Sequence, residues 1–216
     1  MIRDILLKDA FTIIILSLMI IITFIKFNYG QKFSYLIKIF WNRSYLKKYR
    51  KEKIIYNGFD YFLQINFIIS ISLFVYTFQL FFNNHSLSFD LIKLINIVMI
   101  IITFLILKNL SELIVSWVFD IGWEIKPYLN EKINYNSLIG LIILPINILI
   151  IFFFNPSINI LFIFISIILL LKLTGYINSF ILHQKTIKKS WFYFILYLCT
   201  LEIIPYLLLY NFSLSI

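Results

Sequence analysis

The sequence predicts an all-α fold, a polytopic transmembrane helical bundle of about six spans, with an amphipathic interfacial helix after the first span. Three observations predict it. Of 216 residues, 62% are hydrophobic and 13% charged, whereas soluble domains run at roughly 45–50% and 25%. The mean hydropathy is +0.94. The charged side chains gather in a few stretches, and the apolar runs between them are long enough to cross a hydrocarbon layer about 30 Å thick. The chain reads as one integral membrane domain over residues 1–216.

The first span is expected at about 8–25. No small-residue cleavage site follows it, so it reads as a retained helix and not a signal peptide. From Lys26 to Lys53 nine Lys and Arg side chains stand against one acid, Glu52. Within this stretch Phe33, Leu36, Ile37, Phe40 and Trp41 fall on one helical face. That stripe suits either an anionic leaflet or the flanks of the other spans.

The second span is expected at 59–82 and ends in the polar turn Asn83, Asn84, His85, Ser86. The third follows at 91–107. Beyond it Lys108 and Glu112 stand four residues apart, which suits a helix continuing out of the bilayer better than a re-entrant segment. Pro127 and the polar run Asn130 to Asn136 predict a break before the fourth span, 137–154. Asn155, Pro156 and Ser157 form a turn short enough to demand an antiparallel fifth span, 158–182, with Pro156 acceptable at a helix start. The basic loop His183 to Lys189 then leads to a sixth span, 191–210.

Sixteen of the nineteen Lys and Arg residues fall on one side of this arrangement. Cytoplasmic loops are enriched in both residues, so that side is expected to be cytoplasmic and both termini outside it. A net charge of +9 therefore points to membrane orientation and not to nucleic acid, which would need basic residues displayed together on a soluble scaffold. The lone Cys199 rules out an intrachain disulfide, and no Cys or His spacing suggests a metal. No cofactor motif is legible, and the expected partners are the lipid bilayer and other inner-membrane or envelope proteins.

The residues that could carry chemistry interrupt apolar runs. Glu202 lies about twelve residues into the sixth span, roughly 18 Å deep at 1.5 Å per residue. Counting the same depth along the fifth span reaches the neighbourhood of Lys172, so the two predict an intramembrane pair. Pro205 leaves the carbonyl of Leu201 without its helical donor beside Glu202. The pair reads either as a lock between helices or as a proton or ion relay. Lys108 and Glu112 are a second charged pair, expected at the interface with their long side chains reaching the headgroups. Asp60 reads as a helix-start acid, and Gln64 and Asn66 as groups that bond across helices or line a cavity.

Two stretches, Asn136 to Pro145 (NSLIGLIILP) and Tyr197 to Pro205 (YLCTLEIIP), resemble a family of multi-span inner-membrane proteins of unknown function from Bacteroidota. The resemblance covers nearly the whole length. It implies a bacterial inner-membrane location and singles out Gly140, Pro145, Cys199, Thr200, Glu202 and Pro205. It implies no reaction. The expected role is that of a non-enzymatic scaffold or subunit of an envelope complex. The alternatives are a proton-coupled transporter or channel component using Glu202 and, third, a membrane-embedded enzyme acting on a lipid-linked substrate.

Overall fold

A computed structural model of the chain describes residues 2–39, 58–82, 90–118, 122–153 and 158–187. Helix α1 (Ile2–Asn28) bends at Tyr29 into α2 (Gly30–Ile39). The bend keeps helical bonding: the Tyr29 N–H donates to the Ile25 carbonyl at 2.8 Å and the Phe33 N–H to the Tyr29 carbonyl at 2.9 Å. Helices α3 (Gly58–Phe82), α4 (Leu91–Val118) and α5 (Gly122–Ile148) follow. A π-helical turn, Leu149–Phe153, closes α5, and α6 spans Ile158–Ile187. Asp90 caps α4, its Oδ1 accepting from the N–H groups of Ile92 (3.1 Å) and Lys93 (3.4 Å), the usual role of a short acid at a helix start. Its own N–H donates to the Tyr76 hydroxyl at 2.8 Å and fastens the start of α4 to α3.

Four of these helices carry apolar windows long enough to cross a bilayer: Asp9–Asn28, Gly58–Leu80, Leu91–Ile114 and Glu131–Phe152. A shorter apolar stretch, Ile160–Gly175, lies in α6. The protein is thus a membrane-embedded, all-α bundle. The expected sixth span, 191–210, lies outside the described residues. In hydrocarbon every polar group must find its partner within the protein, and the hydroxyls on exposed helix faces do so by folding back onto their own helix. Thr12, Ser17, Thr23, Thr103, Ser166 and Thr174 each donate to a carbonyl three or four residues earlier, at 2.6–2.9 Å.

Helices α3 and α5 form the centre. About half of each of their apolar windows is buried (50% and 56%), against 22% for α1 and 17% for α4. Packing follows the repeat of each helix. In α1, Phe11, Ile15, Leu18 and Ile25 are buried, with Ile22 packed against them, while Ile13, Leu16, Ile20 and Phe24 face outward. This alternation of four and three residues is that of helices crossing at a shallow angle.

Contacts fix the directions. Gln64 meets Ile133, Phe67 meets Gly140 and Ser70 meets Asn147, so α3 and α5 run parallel. Ile25 packs with Phe59 and Leu63, and Phe11 with Tyr76, so α1 is antiparallel to α3. Tyr135 lies against Gly175, and Phe78 stacks on Phe162, so α6 is antiparallel to both α3 and α5.

One expectation changes, one is met, and one is decided between its two alternatives. The polar run Asn130 to Asn136 is no break but the middle of α5, which is helical from Gly122 through Pro127. Proline there removes one helical hydrogen bond, and within the polar run Lys132 and the Ile133 carbonyl are held by neighbouring helices. As the spacing of Lys108 and Glu112 predicts, the segment after Leu107 continues α4 as a regular helix to Val118. In α2, Leu36 is fully buried among Ile25, Phe59, Leu63 and Tyr135, with Phe33 packed beside it and Ile37 exposed. The described part of that stripe therefore packs on other helices, and Phe40 and Trp41 lie outside the described residues.

Gly140 permits a close approach of α5 to α3. A Cβ there would stand 2.6 Å from Cα of Phe67, whereas one on Gly30 would meet nothing within 4 Å. Gly140→Ala is expected to destabilise by about 1–3 kcal/mol through overpacking, while Gly30→Ala leaves stability unchanged or raises it. Melting temperatures of the purified variants in lipid nanodiscs test this, and equal values would contradict the close approach.

Candidate functional site

The inward stripe of α4 runs through Leu94, Ile97 and Ile101 and then, at the same helical spacing, reaches Lys108 and Glu112. That register places both side chains inside the protein: Lys108 is 4% exposed and Glu112 fully buried. Glu112 forms an ion pair with Lys132 of α5. Beside it on α5, Glu131, Asn134 and Tyr135 are buried, and so is Asp60 in the first turn of α3. The Gln64–Ile133 bond and the Glu112–Lys132 pair set these residues at one level. Five ionisable groups, Asp60, Lys108, Glu112, Glu131 and Lys132, thus lie at the end of the bundle where α3 begins. Charges removed from water require partners, since an uncompensated one costs several kcal/mol.

One turn further in, Gln64 Nε2 donates to the Ile133 carbonyl (3.1 Å) and to Ser137 Oγ (3.4 Å), and the Ser137 hydroxyl donates to the Ile133 carbonyl at 3.0 Å. Deeper still, Asn147 Nδ2 donates to the Ser70 carbonyl at 2.8 Å, and the Ser70 hydroxyl reaches Asn66 Oδ1 at 3.5 Å. Ser70 is twelve residues beyond Gly58, about 18 Å along the axis. A polar seam between α3 and α5 therefore extends from the charged end to roughly mid-bilayer depth. Among the described residues no group of three or more His, Cys, Asp or Glu side chains could hold a metal ion.

The structure distributes the residues singled out by sequence. Lys172 is half-buried on α6, one turn from Gly175, which rests on the Tyr135 ring. Its expected partner Glu202, together with Cys199, Thr200 and Pro205, lies outside the described residues. Gly140 is the contact of α5 with α3, whereas Pro145 sits exposed one turn before the π-helical segment. Lys108 and Glu112 are enclosed by protein and do not reach toward headgroups. Gln64 bonds across helices as expected. Lys132, Glu131, Ser70 and Asn147 were not anticipated. For Glu131 the signal was present: Glu131, Tyr135 and Leu138 continue one buried stripe, which a reading of that run as a loop conceals.

The buried Glu112–Lys132 pair generates a stability prediction. Glu112→Leu or Lys132→Met alone leaves the other charge buried and is expected to cost about 3–5 kcal/mol. The double substitution is expected to recover most of that loss. Thermal unfolding in nanodiscs reads the cycle, and additive losses would contradict direct pairing.

No curated protein and no solved structure matches this chain. Residues 11–212 match the family described as "Domain of unknown function (DUF4271)". By that match the chain belongs to the DUF4271 family.

Proposed function

We propose that the protein is a non-enzymatic scaffold or subunit of a membrane complex, seated in a bacterial inner membrane with its basic side cytoplasmic and both termini outside. One observation carries the reading. Three links between buried or part-buried polar groups join α3, α4 and α5 helix to helix: Gln64 to Ile133, Asn147 to Ser70 and Lys132 to Glu112. Such bonds make a rigid block, because buried polar groups satisfied across helices fix one arrangement. The outward faces of α1 and α4 stay apolar, with Ile20, Phe24, Ile92, Met99, Ile106 and Leu107 exposed to lipid or to neighbouring helices.

A second reading, a proton-coupled transporter or channel component using Glu202, draws support from the buried Asp60, Lys108, Glu112 and Glu131, since ionisable residues within a membrane bundle mark ion and proton paths. The two readings separate experimentally. In the subunit reading, Glu202→Gln inserts normally but loses a co-purifying partner in a mild-detergent pull-down, and unchanged co-purification counts against it. In the transport reading, the same substitution abolishes proton flux in proteoliposomes.

Orientation has its own test. Alkaline phosphatase fused to the C-terminus is expected to be active and a green fluorescent protein fusion dark. The opposite pattern would reverse the assignment drawn from the basic residues.

A further inference from the structure

We infer that the α3–α5 seam around Ser70 is a water-binding site within the bilayer, entered from the charged end of the bundle. Asn66, Ser70 and Thr77 recur at intervals of four and seven residues along one face of α3, and they are 1%, 0% and 2% exposed. Asn147, 1% exposed, meets them from α5. Asn147 spends its Nδ2 on the Ser70 carbonyl, and Asn66 spends its Oδ1 on the Ser70 hydroxyl at the long distance of 3.5 Å. Asn66 Nδ2 and Asn147 Oδ1 have no hydrogen-bond partner among the described residues.

One of these is a donor and the other an acceptor, and that asymmetry selects the ligand. A cation would serve only the Asn147 oxygen and an anion only the Asn66 amide. Water donates and accepts, and buried waters bind where two to four polar groups converge. The Ser70 hydroxyl oxygen, which can accept as well as donate, supplies a further partner. Buried amide atoms in a membrane interior are costly when unpaired, so the sequence would gain nothing from two such asparagines in a dry seam. Gln64 and Ser137, bonded to each other, lie between the site and the charged end, while Phe74 and Ile150 are buried and apolar on the far side. The site brings an exchangeable proton carrier to mid-bilayer depth, and it stands independently of the subunit reading.

Single-cysteine chains in a Cys199→Ala background, reconstituted into phosphatidylcholine–phosphatidylglycerol vesicles, test this with silver ion as the probe. Protection from later maleimide labelling of the denatured protein is the readout. Ser70→Cys is expected to react with silver, and Leu73→Cys, which packs toward α1 and α4, to remain inert. Adding Asn147→Leu to Ser70→Cys is expected to abolish the reaction. If Ser70→Cys fails to fold by gel filtration, Asn66→Cys takes its place. A cysteine in the seam as inert as Leu73→Cys overturns the proposal, as does equal reactivity of the two or a reaction that survives Asn147→Leu.

Discussion

The approach of α5 to α3 at Gly140 is the constraint on which the rest of the bundle depends. Helices in lipid are not driven together by exclusion of water, and small residues that let backbones come close supply much of their association. With no Cβ at Gly140, the helix rests on the backbone of Phe67. Only at such a separation can short side chains bridge the two axes. Ser137 lies one turn before this contact and Asn147 two turns after it, and each meets a group of α3. The same contact fixes the parallel register of the central pair, around which α1, α4 and α6 run in the opposite direction.

How much of this was legible in the sequence depended on whether an element was read by amount or by phase of its apolar residues. Helix α3 was legible almost to the residue, because a predominantly apolar run begins at Gly58 after polar sequence and ends at Phe82 before the polar sequence Asn83-Asn84. Helix α5 was half legible. Its polar run resembles a loop by composition, yet Lys132 is committed to Glu112, and Ile133 offers its carbonyl to Gln64. Those partners come from distant parts of the chain, so a local reading has no access to them. Lys108 and Glu112 show the complementary case, since their spacing announced a helix correctly, but their burial follows from continuing the phase of Leu94 and Ile97. The seam at Ser70 could not be read locally at all, because serine and asparagine within a span also satisfy themselves on their own helix, as Ser166 does.

Two solutions to the same physical problem coexist here. On lipid-facing surfaces, Thr12, Thr23 and Thr103 hide their hydroxyls by bonding backwards along the helix, a local device that leaves the neighbouring surface apolar. Between α3, α4 and α5, Gln64, Lys132 and the Asn147 Nδ2 are matched across the gap instead, so their satisfaction depends on the fold being correctly assembled. The first kind makes a helix compatible with hydrocarbon. The second makes a particular set of helices compatible with one another.

The continuation of α4 past Leu107 bears on the membrane itself. Lys108 and Glu112 are turned inward, and past Leu107 the outward face stays apolar through Leu110, Leu113 and Ile114. The apolar window Leu91–Ile114 therefore runs 24 residues, about 36 Å, which exceeds a hydrocarbon layer of about 30 Å. A layer somewhat thicker than average can be met on this helix without carrying a charge into lipid, and a thinner one by tilt. A helix pair that holds its charges between its members thereby keeps its outer surface tolerant of bilayer thickness.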